Sequence, residues 1–250
     1  MTHVPPSVTQ GGPAYGLGSQ REALRLGKGR GLGLLGLCVA ALSLSACASL
    51  EPAPPPPPPP VMPGNPDSLL RDWRGLIQPQ DLDRYQRLGA AWTTALRDAR
   101  RLPGSGDLKA LGGLIEPKAA LESAAPPEGQ YRCRTIKLGS QSGDEGLGYV
   151  VYGWFACRIE ATPAGLKLSK LTGSQRPSGL LFPENGRQMV FLGSMALAND
   201  PPANSYGQKP DRDMVGVFER IGETRWRLSI PWPHNESHLD LIELVPASGR

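Results

Sequence analysis

Apolar and polar residues alternate from position 131 onward, and this pattern constrains the fold more than any other feature of the sequence. Apolar residues recur at every second position in eight short stretches, most of them separated by Gly, Asn or Pro. A period of two predicts β-strands, and short connections favour antiparallel pairing. Eight such strands can close on themselves, so we expect a β-barrel, with a sandwich as the alternative. The predicted strands cover residues 131–138, 149–160, 165–172, 179–182, 187–196, 214–221, 225–230 and 239–245.

Two of the connections carry specific turn signals. Asn185-Gly186 tolerates the positive φ angles of a two-residue type I′ turn, and therefore predicts a hairpin. Gly222-Glu223 can turn the chain into the next strand. In that strand, Trp226, Leu228 and Ile230 should alternate inward, which places them in the barrel core.

The region before the strands has helical periodicity. Apolar residues spaced three and four apart predict one helix over residues 65–77 and a second from Pro79 to Leu102, with a weaker helical stretch at 107–115. The overall prediction is therefore an α+β fold, in which N-terminal helices pack on an antiparallel, roughly eight-stranded β-barrel or sandwich and cover one opening or flank of it.

The N-terminal part of the chain resembles a bacterial export signal. Leu44-Ser45-Ala46-Cys47 has the form of a lipobox, and it ends an apolar run that follows four basic residues. A transmembrane helix is the alternative, but the run is shorter than the roughly 20 apolar residues that a bilayer span requires. We therefore predict cleavage before Cys47 and lipidation of that cysteine, and Ala48 after it favours the outer membrane, on its periplasmic face.

A nearly continuous proline run follows the predicted lipid anchor. Prolines fill most of positions 52–60, and such a run forms a polyproline II spacer that rises about 3.1 Å per residue. The predicted organisation is a signal peptide (1–46), a lipidated tether (47–64), a helical segment (65–127) and a β-domain (128–250).

The charge balance argues against nucleic-acid binding. Four of the 27 Lys and Arg residues and one of the 23 Asp and Glu residues precede Cys47, so the mature chain would carry 23 basic against 22 acidic residues. Nucleic-acid-binding surfaces require a basic excess to meet phosphates. We therefore expect the membrane, through the lipid anchor, and an envelope protein or a small ligand as partners.

Two cysteines, Cys133 and Cys157, remain within the predicted β-domain. Exported proteins fold in an oxidising compartment, and cysteines on adjacent antiparallel strands can come within disulfide distance when they are directly opposite. We predict a disulfide between them, with two buried reduced thiols as the alternative.

The most reactive-looking residues lie between the last two strands. In an extended segment, His234, Glu236, His238 and Asp240 would all face one side, which is a pattern for a metal site or for acid–base catalysis. In a loop shaped by Pro231 and Pro233 they would scatter and bond to nearby backbone. We favour the loop, and so predict no metal and no cofactor, and keep His234, Glu236 and Asp240 as the candidate catalytic residues.

Three further charged residues lie in predicted connections between strands. Arg176, Arg212 and Asp213 could hold two long loops together through an arginine–carboxylate fork, or they could bind an anion. We favour the structural role.

Several separated segments resemble, in the same order, a family of exported Gram-negative bacterial proteins that is classed as a domain of unknown function. The similarity covers roughly residues 72–246, and the resemblance implies no activity and no catalytic residues. The segments are Tyr131-Arg132-Cys133-Arg134, Thr172-Gly173-Ser174-Gln175-Arg176-Pro177 with Gly179, Phe182 and Pro183, Asp211-Arg212-Asp213, Glu219-Arg220-Ile221-Gly222, Trp226-Arg227, and Pro233-His234 with Glu236 and Leu239-Asp240.

The sequence contains no nucleophile–base pair, phosphate-binding loop or metal motif of high specificity. We therefore expect a non-catalytic binding or scaffolding module in the periplasm. An envelope hydrolase centred on His234, Glu236 and Asp240 is the first alternative. A small-barrel protease inhibitor, suggested by fold analogy alone, is the second.

Overall fold

The computed structural model describes residues 72–247. The predicted signal peptide, the lipidation site at Cys47, the proline tether and the first part of the predicted helix at 65–77 lie outside the described residues. The strands are β1 (Gly104–Ser105), β2 (Gly129–Leu138), β3 (Tyr149–Val151), β4 (Phe155–Thr162), β5 (Gly165–Lys170), β6 (Gln175–Pro183), β7 (Gln188–Leu197), β8 (Asp213–Gly222), β9 (Arg225–Pro231) and β10 (Leu239–Pro246).

Eight of these strands form a closed antiparallel barrel. Their order around the barrel is β2-β10-β9-β8-β7-β6-β5-β4, and pairing of β4 with β2 closes the circle. Closure leaves no long unpaired edge, which removes the risk of edge-to-edge aggregation. The predicted fold class, helices on an eight-stranded barrel, is confirmed.

The single strand predicted at 149–160 is wrong, because it is interrupted. β3 and β4 both pair with the same edge of β2, through Ile136 opposite Val151 and Cys133 opposite Phe155. Between these pairs β2 contributes two residues, whereas the connection between β3 and β4 contributes the three residues 152–154. The extra residue forms a bulge, which shifts the alternation and leaves Trp154 41% exposed.

The predicted type I′ turn at Asn185-Gly186 is also wrong. β6 ends at Pro183 and β7 begins at Gln188, so the connection has four residues rather than two. Neither Asn185 nor Gly186 is among the residues with positive φ. Instead, the Asn185 side chain accepts a hydrogen bond from the backbone N–H of Arg187 at 2.9 Å, which is an Asx turn.

The helices are shorter than the sequence pattern predicts. Two helices, α1 (Pro79–Gln86) and α2 (Leu88–Arg101), replace the single predicted helix, because Arg87 between them leaves helical geometry at φ −91° and ψ 16°. Within 72–77 only the 3₁₀ turn Trp73–Gly75 is helical, and the weak stretch becomes the 3₁₀ segment Lys109–Ile115. Among residues 72–247, no helix has both the length and the apolar character needed to cross a bilayer.

Both helices pack on the outside of the barrel, so they cover a flank and not an opening. Ala91, Trp92, Ala95 and Ala99 of α2 share an apolar cluster with outward residues of β2 and β10, including Ile136. The α1 region packs in the same manner over β6, β7 and β8. The barrel interior is filled by a third cluster, which includes Tyr131, Ile159, Leu168, Leu181, Phe191, Phe218, Trp226, Leu228, Ile230 and Leu244.

One end of the barrel, called here the closed end, is sealed by residues 121–128. Leu121 forms an isolated bridge with Arg220, and Ala124 is buried in the interior cluster. Tyr131 also donates a hydrogen bond to the carbonyl of Pro127 at 2.7 Å. The opposite end, where β2 ends and β10 begins, is called the mouth.

The predicted disulfide between Cys133 and Cys157 is confirmed, with a Cα–Cα distance of 5.8 Å. The two residues are not directly opposite each other in the strand register. Cys133 lies opposite Phe155, and Cys157 lies opposite Tyr131. The bridge therefore runs diagonally between the two strands. It joins the first part of β4, just after the bulge, to β2.

Candidate ligand cavity at the barrel mouth

Polar side chains occupy inward positions at the mouth. Lys137 is in phase with Tyr131 and Cys133 of β2, and Asp240 is in phase with the inward residues of β10. Lys137 and Asp240 are directly opposite each other in the register of these two strands. Because alternate residues of a strand face the same side, both side chains point into the barrel rather than into solvent.

A cavity of about 430 Å³ opens at the mouth. This size falls within the range of about 300–1,000 Å³ that is usual for small-molecule sites. Its apolar part consists of Met195, Leu197, Met214 and Ile230. Its polar part consists of Arg84, Lys137, Gln175, Asp211, Arg212, His234, Asn235 and Asp240, with Pro233 at the rim.

A buried ion pair forms the base of the cavity beside β2 and β10. Lys137 Nζ lies 3.1 Å from Asp240 Oδ2 and 2.9 Å from Glu236 Oε2, and the Lys137 side chain is 8% exposed. Burial acts to lower the pKa of Lys137, but the two carboxylates outweigh it and raise this pKa above its usual value. Burial also raises the pKa of Asp240, although Lys137 and the hydroxyl of Ser237 oppose that shift.

The connection from Pro231 to Leu239 has strained backbone. Trp232 and Glu236 have φ angles of 47° and 74°, in a region that non-glycine residues rarely adopt. Gln141 Nε2 donates to the carbonyls of Pro233 and Ser237, both at 2.8 Å, and so fixes the loop from the side. Strain held by surrounding bonds is typical of binding and catalytic sites.

The candidate catalytic residues are brought near the mouth but are directed to different partners. His234 Nε2 lies 3.2 Å from the carbonyl oxygen of Asp213, whereas Glu236 and Asp240 both contact Lys137. His238 Nδ1 lies 3.2 Å from Asp98 Oδ2 of helix α2, outside the barrel. His238 is thus directed away from the other three, whereas Glu236 and Asp240 meet at a side chain and not at the nearby backbone that the loop interpretation predicts. Within residues 72–247, no three His, Cys, Asp or Glu side chains are grouped to hold a metal ion.

Arg176 lies within strand β6, and its bonds are to backbone rather than to a carboxylate. It donates to the carbonyls of Gly173 at 3.0 Å and Asp200 at 2.9 Å, and also to that of Ala198. These bonds join the β5–β6 turn to the β7–β8 connection. Two mouth loops are thereby held together without the arginine–carboxylate fork that the sequence suggested.

Asp213 holds the other end of the β7–β8 connection. Its two carboxylate oxygens accept from the backbone N–H of Gly207 at 3.0 and 3.1 Å. Burial raises the pKa of Asp213, and the Gly207 bond acts against that shift. Arg84, which pairs with Asp81 of α1, donates to the Asp213 carbonyl at 3.0 Å and thus ties α1 to the mouth.

Tyr206 completes this attachment of the β7–β8 connection to α1. Its hydroxyl donates to Asp81 Oδ2 at 2.5 Å and accepts from the backbone N–H of Gln78 at 2.9 Å. Burial, reinforced by Asp81, raises the pKa of Tyr206, so the phenol stays protonated at neutral pH. The mouth loop therefore has a fixed position relative to the cavity.

Lys170 lies at the same end but is engaged in structure. Burial lowers its pKa to about 8, and the neighbouring Arg176 charge adds to this effect. Its Nζ donates to the carbonyls of Thr172 at 2.9 Å and Gln175 at 2.7 Å. These bonds stabilise the β5–β6 turn and leave the amine poorly placed as a nucleophile.

Sequence reasoning placed His234, Asp240 and Arg212 among the candidates but missed Lys137 and Gln175. A signal for both exists in the sequence. Each is a polar residue that shares the inward phase of its strand, near a strand end that faces the mouth. Polar residues in the apolar phase at strand ends indicate where a barrel interior is open rather than filled.

The comparisons with known proteins identify the family. A family model described as a domain of unknown function (DUF4893) matches residues 73–244, which is more than half of the chain. No curated protein and no solved structure matches the chain. The matched range begins at the buried residue Trp73 and ends in β10, so it contains the mouth and all of the barrel except the last two residues of β10. The chain therefore belongs to the DUF4893 family.

Proposed function

We propose that this protein is an outer-membrane lipoprotein, facing the periplasm, whose barrel binds a small ligand in the mouth cavity without chemical conversion. The observation that carries the proposal is the cavity itself. It has the volume of a small-molecule site, a mixed apolar and polar lining, and loops fixed by bonds to α1 and to Gln141. A preformed site of this kind lowers the entropic cost of binding.

The position at which the chain enters the barrel supports this arrangement. Trp73 Nε1 donates to Glu184 Oε2 at 2.7 Å, and Glu184 lies in the β6–β7 connection at the closed end. The described part of the chain therefore reaches the barrel at the end opposite the mouth.

The hydrolase alternative is less well supported by the contacts at the mouth. A general base needs an imidazole oriented by a carboxylate and directed at the substrate. The His234 ring nitrogen Nε2 instead meets a backbone carbonyl, and the two nearby carboxylates share Lys137. We therefore retain ligand binding as the proposed function.

Blocking the cavity should abolish binding while preserving the fold. Met195 is half-buried and lines the cavity, so Met195→Trp should fill open volume with little displacement of the core. In a thermal-shift screen of small metabolites, we expect ligands that raise the melting temperature of the wild type and fail to raise that of the variant. Leu121→Trp is the control, since Leu121 is 42% exposed at the closed end. Equal responses of both variants would place binding elsewhere.

The anchor is tested separately. Cys47→Ser should abolish incorporation of labelled palmitate and move the protein from the membrane fraction to the soluble fraction, because serine lacks the thiol that accepts the lipid. The barrel should fold in both proteins, since its first strand, β2, begins at Gly129, far from Cys47 in the sequence. Cys38→Ser serves as a control that removes a different cysteine and leaves the Cys133–Cys157 disulfide intact. A Cys47→Ser protein that is still labelled and still sediments with membranes would contradict the lipoprotein assignment.

A further inference from the structure

The guanidinium of Arg212 has unused hydrogen-bonding capacity at the mouth cavity. Its Nη1 atom is buried and makes no hydrogen bond within residues 72–247. The side chain as a whole is 28% exposed and lines the cavity. A buried donor without a partner costs free energy, and a ligand that supplies an acceptor recovers it.

The carboxylates near Arg212 compensate its charge only loosely. Asp200 Oδ2 lies 3.7 Å from Nη1 and Asp211 Oδ2 lies 3.4 Å from Nε, and their side chains are 47% and 76% exposed. Asp200 Oδ2 also accepts from the backbone N–H of Leu197 at 3.0 Å. Exposed ion pairs of this geometry contribute little, so Arg212 remains able to bind an anion.

The other two cations of the cavity are already engaged. Lys137 contacts two carboxylates, and Arg84 pairs with Asp81 and donates to the Asp213 carbonyl. Arg212 is therefore the cation of this lining that is best able to accept a new anionic partner.

Neutral donors and an apolar surface complete the lining. The side-chain amides of Gln175 and Asn235 face the same cavity and make no hydrogen bond to the part of the chain that the structure describes. Met195 and Met214 supply polarisable apolar surface that adapts to ligands of varied shape. The cavity thus offers one charged and two neutral hydrogen-bonding groups beside an apolar wall.

We propose that the mouth cavity recognises an amphipathic anion, whose carboxylate or phosphate oxygens accept hydrogen bonds from Arg212 and whose apolar chain lies against Met195 and Met214. The proposal rests on the proposed ligand-binding function and specifies its ligand class. Arg212 acts as the specificity-determining residue, since guanidinium groups bind carboxylate and phosphate through paired N–H donors.

Isothermal titration calorimetry of the purified full chain tests this with four six-carbon probes: hexanoate, hexyl phosphate, 1-hexanol and hexylamine. Hexanoate or hexyl phosphate should bind at least tenfold tighter than the alcohol and the amine. The stronger of the two anions tells a carboxylate ligand from a phosphate ligand. Arg212→Gln should weaken anion binding by about ten- to hundredfold, the range for a hydrogen bond to a charged group, and leave hexanol binding unchanged.

Arg187→Gln is the matched control, since Arg187 is 61% exposed and lies at the closed end. This substitution should leave the affinities for all four probes unchanged. Arg212→Lys should retain part of the anion preference through its charge. Hexanol binding as tightly as the anions, or Arg212→Gln without effect on them, overturns the inference but leaves the ligand-binding function standing. If none of the four probes binds although the metabolite screen finds a cavity ligand, the inference fails alone. If neither experiment finds binding, both proposals fail.

Discussion

Replacing Arg227 with methionine should lower the free energy of unfolding by about 3–5 kcal/mol, the cost of breaking a buried ion pair. Arg227 is fully buried on the outer side of β9, under the segment that contains Lys109–Ile115. Its Nη2 lies 2.6 Å from Glu219 Oε2, and its Nη1 donates to the carbonyls of Leu114 and Glu116 at 3.0 and 2.7 Å. Methionine would leave the buried Glu219 carboxylate without its cation, and it would remove a donor from the carbonyls of Leu114 and Glu116.

Urea denaturation measures this effect, with Arg187→Met as the control. Arg187 also pairs with a glutamate, Glu122, but both side chains are more than 60% exposed. Exposed pairs contribute about 0–1 kcal/mol, so this variant should unfold almost as the wild type does. The double variant Arg227→Met with Glu219→Leu should recover part of the loss, because it removes the unpaired charge. Equal losses for Arg227→Met and Arg187→Met would contradict the assigned role.

Replacing Lys137 with methionine should also cost about 3–5 kcal/mol at pH 7.5, because Asp240 would stay buried at the cavity base without its cation. Adding Asp240→Leu to this variant should restore most of the stability, since no buried charge remains. Denaturant unfolding of the three proteins measures the difference. A single variant as stable as the wild type would mean that Asp240 is protonated or hydrated in the native protein.

The pH dependence of the same proteins follows from the direction of the pKa shifts. Burial raises the pKa of Asp240 in the folded protein above the unfolded value of about 4. The folded state therefore binds this proton more tightly than the unfolded state does. The resulting stabilisation is fully present below the unfolded pKa, and it is lost as the pH rises through the folded pKa. Without Lys137 this pKa should rise further, and Lys137→Met should lose less stability at pH 4.5 than at pH 7.5. In the wild type, the raised pKa of Lys137 gives stability that is lost only above pH 10.5.

The barrel could be predicted because its signal is local. Trp226, Leu228 and Ile230 alternate as a strand must, and all three lie in the barrel interior as predicted. The bulge at 152–154 could not be predicted in this way, because the residues there continue a plausible strand. Only the register of β2 against β3 and β4 determines where the extra residue is placed. The diagonal geometry of the disulfide depends on the same register, so it could not be predicted from the sequence either.

The cavity could be predicted only in part. His234, Asp240 and Arg212 stand out in the sequence as titratable residues in connections or at strand ends. Their directions depend on partners far away in the chain, such as Asp213 for His234 and Lys137 for Asp240. The burial of Arg227 could not be predicted for the same reason. Its outward position on β9 predicts an exposed side chain, but α2 and the 3₁₀ segment pack over it and bury it. Helix positions on a barrel flank are not encoded in strand periodicity.

Native mass spectrometry of the protein, purified in mild detergent, tests ligand binding at the mouth most directly. The wild type and Met195→Trp are compared under identical conditions, with Leu121→Trp as the variant that changes the closed end. We expect a non-covalent adduct of small mass on the wild type and on Leu121→Trp, and its loss from Met195→Trp. An adduct that persists in Met195→Trp, or a wild-type protein that carries none, would contradict it.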